Sequence, residues 1–117
     1  MNQKTDDVII KTHLGLVSGA KKKGGFLFKG IPYGADTSGE NRWKAPQEPI
    51  PWDGVFEAKE FGPQCPQFRM GEGGFRGSIA SAYGVEIPEE ESINESEDCL
   101  RLNIYTPNVE DRKSTRL

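Results

Sequence analysis

Glycine or proline interrupts this chain so often that only two long stretches are free of both, residues 1–14 and 89–106. With fourteen glycines and eight prolines, it is suited to turns and short extended segments rather than long helices. Glycine costs backbone entropy inside a regular element, and proline removes a hydrogen-bond donor. The second free stretch has a clear period. In Glu97-Asp98-Cys99-Leu100-Arg101-Leu102-Asn103-Ile104-Tyr105-Thr106-Pro107, Leu100, Leu102 and Ile104 fall on one face, and Cys99, Arg101, Asn103 and Tyr105 on the other. Period two marks a strand with one apolar face. Acids before it and a proline after it punctuate both ends.

Similar reasoning places the other elements. Val8 to Leu14, including the single histidine His13, reads as a first strand, and Gly15 to Ala20 as a continuation in extended form. Lys21-Lys22-Lys23-Gly24-Gly25 reads as a hairpin tip, with glycines free to take positive φ. Phe26 to Tyr33 is the strand that follows. From Gly34 to Pro66, Pro46, Pro49, Pro51 and Pro63 exclude long regular elements. Asp36 to Asn41 reads as a polar turn, and Val55 to Phe61 as one or two short helical turns. Trp43, Trp52, Phe56 and Phe61 are spaced through this segment and are expected to anchor it on a core. Gly71 to Gly77 narrowly fails G-x-G-x-x-G because position 76 is arginine, so it reads as a surface loop. Residues 108–117 read as a charged tail.

A chain of 117 residues makes one domain at most. Its apolar residues come in short, scattered groups, so it is expected to bury little and to lean on more protein. The alternative is a small loop-rich β domain stapled by one disulfide. The net charge of −3 argues against a general nucleic-acid binder, which needs a basic face. Residues 86–98 hold seven acids and no base, the composition of a solvated loop. No apolar run approaches the roughly 20 residues of a membrane span. Residues 1–7 lack the apolar core of an export signal, which points towards the cytoplasm.

No catalytic set is visible. Neither Ser18 nor Ser78 stands in G-x-S-x-G, the turn that exposes a nucleophilic serine, and His13 has no such serine beside it. One histidine and two distant cysteines do not make a zinc site. The cysteines themselves leave two readings open. Bonded, Cys65 and Cys99 close a loop of 35 residues, a stabilisation of about 4 kcal/mol by chain entropy. Unbonded, they are two reduced thiols, as a reducing compartment favours.

Six motifs, in order and at consistent spacing, carry a resemblance. They are Gly15-x-Val17-x-Gly19, Phe28-x-Gly30-Ile31-Pro32-Tyr33, Arg42-Trp43-x-x-Pro46, Pro51-Trp52-x-Gly54-Val55, Phe61-Gly62-Pro63-x-Cys65-Pro66-Gln67, and Ser96-Glu97-Asp98-Cys99-Leu100-x-Leu102-Asn103-Ile104-Tyr105-x-Pro107. Together they resemble the type-B carboxylesterases, the family that includes cholinesterases and broad-range bacterial esterases. The resemblance implies an α/β-hydrolase fold, of which this chain supplies the N-terminal antiparallel strands and the loop after them. The parts are a hairpin region at 8–33, an irregular proline-rich segment at 34–64, a cysteine-bounded loop at 65–99 and a strand at 97–107.

It also implies a Cys65–Cys99 disulfide, which points to an oxidising compartment, and a buried ion pair between Arg42 and Glu97. For the full-length protein it implies hydrolysis of a small carboxylic ester through a serine acyl-enzyme, without cofactor or metal. The oxyanion loop, serine, acid and histidine of the family all follow residue 117. This chain is therefore expected to hold no catalytic residue, to be inactive alone, and to have the rest of the hydrolase domain as its partner. No nucleic-acid or membrane partner is expected. Two departures stand out. Arg101 replaces a usual aromatic, and the loop offers Phe68, Phe75 and Tyr83 where cholinesterases use tryptophan. A broad apolar ester pocket is thus expected rather than a choline site. The competing readings are a non-catalytic esterase-like adhesion protein and a small independent binding domain.

Overall fold

The computed structural model describes residues 7–68, 74–86 and 94–110. Strand β1 (Asp7–Thr12) pairs antiparallel along its whole length with β2 (Gly15–Lys22). The chain reverses at His13 and Leu14, so it does not run on extended from Val8 to Ala20, and His13 lies in the turn rather than in a strand. The turn is tied locally. Thr12 Oγ1 donates to the Gly15 carbonyl at 2.7 Å and accepts from the Leu14 amide at 3.2 Å, a side-chain device that competes well with a straight strand. The second reversal falls at the lysine–glycine tip, where Lys22 pairs with Gly25 and Gly24 takes φ +87°. Strand β3 (Gly25–Pro32) then returns along β2.

The two strands stay paired only from Ala20/Leu27 to the tip. Below that they part, and β4 (Val55–Glu57) enters the gap, running parallel to β2 with Leu16 opposite Val55 and Ser18 opposite Glu57. Here the expected helical turns are replaced by a short strand. The open edge of β2 offers unpaired donors and acceptors, and pairing with them outweighs a local helical preference in so short a segment. Ala58 completes the wedge. Its amide donates to Ser18 O and its carbonyl accepts from Lys29 N, each at 2.8 Å.

On its other side β3 pairs antiparallel with β5 (Arg101–Thr106), giving the order β1-β2-β3-β5. A bulge between Phe28 and Ile31 breaks this register. Gly30 sits there at φ +68°, and its amide donates to Asn103 Oδ1 at 3.0 Å.

The one α-helix among the described residues, α1 (Gly74–Ala82), lies between the cysteines, where the glycine cluster had read as loop. Residues 71–73 of that cluster fall outside the described residues. Gly84, at φ +64°, closes the helix, with Val85 N donating to Ala80 O at 2.9 Å, the pattern of a glycine C-cap.

The core is small. Val17, Phe28 and Ala58 are the buried apolar residues among those described, and the polar Ser18 is buried beside them. Val8, Ile10, Phe26, Ile31, Trp52, Phe56 and Val109 pack partly against this cluster.

Candidate functional site

Two features stand out: an apolar trough on the sheet and a polar neck at the base of the cysteine-bounded loop. The trough follows from strand alternation. Leu102 and Ile104 of β5, Ile10 of β1, Val17 of β2 and Phe28 and Ile31 of β3 all line one cavity of about 560 Å³. Much of its wall faces solvent, with Leu102 at 37 % and Ile104 at 43 % exposure. Trp52 forms one end. Its amide donates to Leu14 O at 2.9 Å and its Nε1–H to Leu16 O at 2.8 Å, so the residue straddles Gly15. A Cβ at Gly15 would stand 2.5 Å from the indole nitrogen, which only glycine avoids. Trp52 also leans on Phe56, with ring centroids 5.1 Å apart.

The four aromatics of the irregular segment thus divide. Trp52 and Phe56 anchor it as expected. Phe61 lies mostly in solvent under the Lys29 ammonium, 4.1 Å from its ring centre. Trp43 touches no core, being 98 % exposed. It occupies the third position of a turn closed by Lys44 N donating to Asn41 O, at φ +63°. That conformation is normally left to glycine or asparagine.

The neck gathers residues far apart in sequence. Arg42 Nε donates to Glu97 Oε1 at 2.6 Å, and Nη2 donates to Oε2. The pair is not buried: the side chains are 53 % and 38 % exposed. Two parallel hydrogen bonds therefore give it geometry more than strength. The Arg42 hydrogen bond is the main cause holding the Glu97 carboxyl below its ordinary pKa. A depressed carboxyl pKa contributes stability that is present above the unfolded value and lost as pH falls through the folded one. Stability measured on the full-length protein is therefore expected to lose this increment as acid is added below the ordinary carboxylate range. Glu97→Gln should flatten that limb, and coincident acid limbs in the two proteins would rule the linkage out.

Cys65 and Cys99 lie near 4.1 Å from one another, unbonded. Burial, then the neighbouring Cys65 thiol, push the Cys99 thiol up, which favours its neutral form. Arg101 folds back onto Asp98, Nη2 to Oδ2 at 2.9 Å, and its buried Nε has no partner. Its stem covers Gly62, where a Cβ would meet it at 2.7 Å.

Sequence reasoning missed the apolar stripe of α1. Phe75, Ile79 and Tyr83 recur every fourth residue, and Val85 follows; all four are exposed around a hollow of about 490 Å³. That recurrence was the available signal, hidden by Gly74 and Gly77. Among the described residues no group of three or more metal-ligating side chains comes together. None of their helices is long and apolar enough to cross a membrane.

Solved α/β-hydrolase esterases are similar to this chain in fold. A PNB esterase structure superposes at a TM-score of 0.66 with 34 % identity, over 86 % of this chain and 18 % of its own. The Geobacillus stearothermophilus carboxylesterase EST55 does so at 0.65 with 33 % identity, over 90 % and 17 %. The chain belongs to the carboxylesterase family, which it matches over residues 6–117. It is 34 % identical to the para-nitrobenzyl esterase of Bacillus subtilis (strain 168) across 86 % of this chain and 18 % of that protein. It is likewise 34 % identical to an acetylcholinesterase of Danio rerio, across 90 % and 16 %. The chain thus spans less than a fifth of the length of these relatives.

Proposed function

We propose that residues 1–117 are the scaffold section of a carboxylic-ester hydrolase, and that the full-length protein works through a serine acyl-enzyme. The family match over residues 6–117 carries this reading. In such a mechanism a serine attacks the ester carbonyl, the alcohol leaves, and water releases the acid, with donors aimed at the developing oxyanion. The present residues supply none of these groups. Their part is to be packed upon: the trough of Phe28, Leu102 and Ile104 is an apolar face with few polar groups, suited to burial under the rest of the hydrolase domain. The Cys65–Cys99 pair and the Arg42–Glu97 pair brace the base of the loop between the cysteines. The substrate is an apolar carboxylic ester rather than a choline ester, since the residues between the cysteines hold phenylalanine and tyrosine but no tryptophan.

The full-length protein is expected to cleave a p-nitrophenyl ester and to lose that activity to a serine-directed phosphonate. Residues 1–117 alone should not exceed the buffer rate. Phosphonate-sensitive hydrolysis by 1–117 would overturn the division of labour. An inert full-length protein would favour a non-catalytic relative.

A further inference from the structure

The loop bounded by Cys65 and Cys99 has a neck whose contacts owe nothing to sulfur. Gln64 N donates to Asn94 O, and Ser96 N donates to Gln64 O, both at 3.0 Å. Gln64 and Glu95 thus form a parallel bridge, and Gln64 Nε2 adds a bond to Glu95 Oε1 at 3.2 Å. Glu97, next along, is gripped twice. Thr37 Oγ1 donates to its carbonyl at 2.6 Å, while Arg42 holds its carboxylate. Thr37 and Arg42 flank the 3-10 turn Gly39–Asn41, so one short turn presents both donors. That turn is itself set by Asp36, whose carboxylate accepts from Ser38 N at 2.8 Å and whose carbonyl accepts from Asn41 Nδ2 at 3.1 Å.

We infer that this neck is a non-covalent clamp that keeps the Cys65–Cys99 loop closed whatever the oxidation state of the two cysteines, with Thr37 as a positioning residue for Glu97. A disulfide and a clamp act on different states. A disulfide mainly restricts the unfolded chain. The clamp offsets the cost of bringing the loop ends together in the folded one. Reduction then lowers resistance to global unfolding without opening the loop. The clamp holds whether or not the protein hydrolyses esters, because none of its contacts involves substrate.

Hydrogen exchange of the full-length protein tests it, read at the Gln64 and Ser96 amides, the two donors of the bridge. The Ala58 and Lys29 amides, bonded within the sheet, are the internal control. Reduced wild type and Cys65→Ser/Cys99→Ser are each expected to exchange at Gln64 and Ser96 within about threefold of wild type oxidised to the Cys65–Cys99 disulfide. Thr37→Val/Glu97→Ala should exchange there about tenfold faster or more, with Ala58 and Lys29 unchanged. A tenfold rise on reduction would assign closure to the cysteines and overturn the inference. So would unchanged exchange in Thr37→Val/Glu97→Ala. Should the serine double variant fail to fold, reduced wild type decides alone.

Discussion

Phe28→Ala is expected to destabilise the full-length protein by about 3–5 kcal/mol, read as a lower urea midpoint at unchanged slope. Phe28 is one of three buried apolar residues among those described, and its ring forms part of the trough wall. The upper part of the range is expected because the site cannot collapse. The ring lies over Gly19 of β2, where a Cβ would be 2.5 Å from two of its carbon atoms. Glycine offers no side chain to swing into the void, and both backbones are held in the sheet. The residual cavity therefore keeps most of its volume, and cavity volume sets the cost. A loss below about 1 kcal/mol would mean that Phe28 is not the centre of this core.

Gly30→Ala should cost about 2–4 kcal/mol, the sum of two separable effects. The first is conformational. At φ +68° a residue with a Cβ pays roughly 1–2 kcal/mol. The second is steric. The new Cβ would stand 2.7 Å from Glu60 O and 3.0 Å from Gly62 N. Both are backbone atoms, so no flexible side chain can move aside. Either the 60–62 segment shifts or the bulge relaxes and strains the bond from Gly30 N to Asn103 Oδ1. Gly24→Ala is the control: its φ is +87°, and nothing lies within 4 Å of the new atom. The difference between the two variants in the same urea assay measures the steric part. Equal losses would show that the close approach of residues 60–62 to the bulge carries no energy.

Much of the sheet was legible because alternation is a local property. Leu102 and Ile104 shared a face in the sequence and share the trough wall in the structure. The lysine–glycine tip was legible because two adjacent glycines beside lysines leave few other conformations. The segment at Val55 was not legible. Three residues cannot show a period, and what made them a strand was the edge of β2 left open where β3 departs. His13 was misplaced for a related reason: the turn depends on the Thr12 hydroxyl folding back onto its neighbours, an interaction with no apolar pattern. Trp43 was expected inside because it is large, yet its place is set by the turn that carries it, and the described residues hold nothing for it to touch.

By itself the sequence determined the kind of element each stretch prefers and, through six spaced motifs, the family, because both are written in residue type and interval. Only the tertiary structure decided where β3 leaves β2, which residue fills that gap, and how Thr37, Arg42, Gln64 and Glu97 meet at one neck. Those outcomes depend on hydrogen-bonding groups left unpaired by one element and satisfied by another far along the chain, and no local pattern records such a debt.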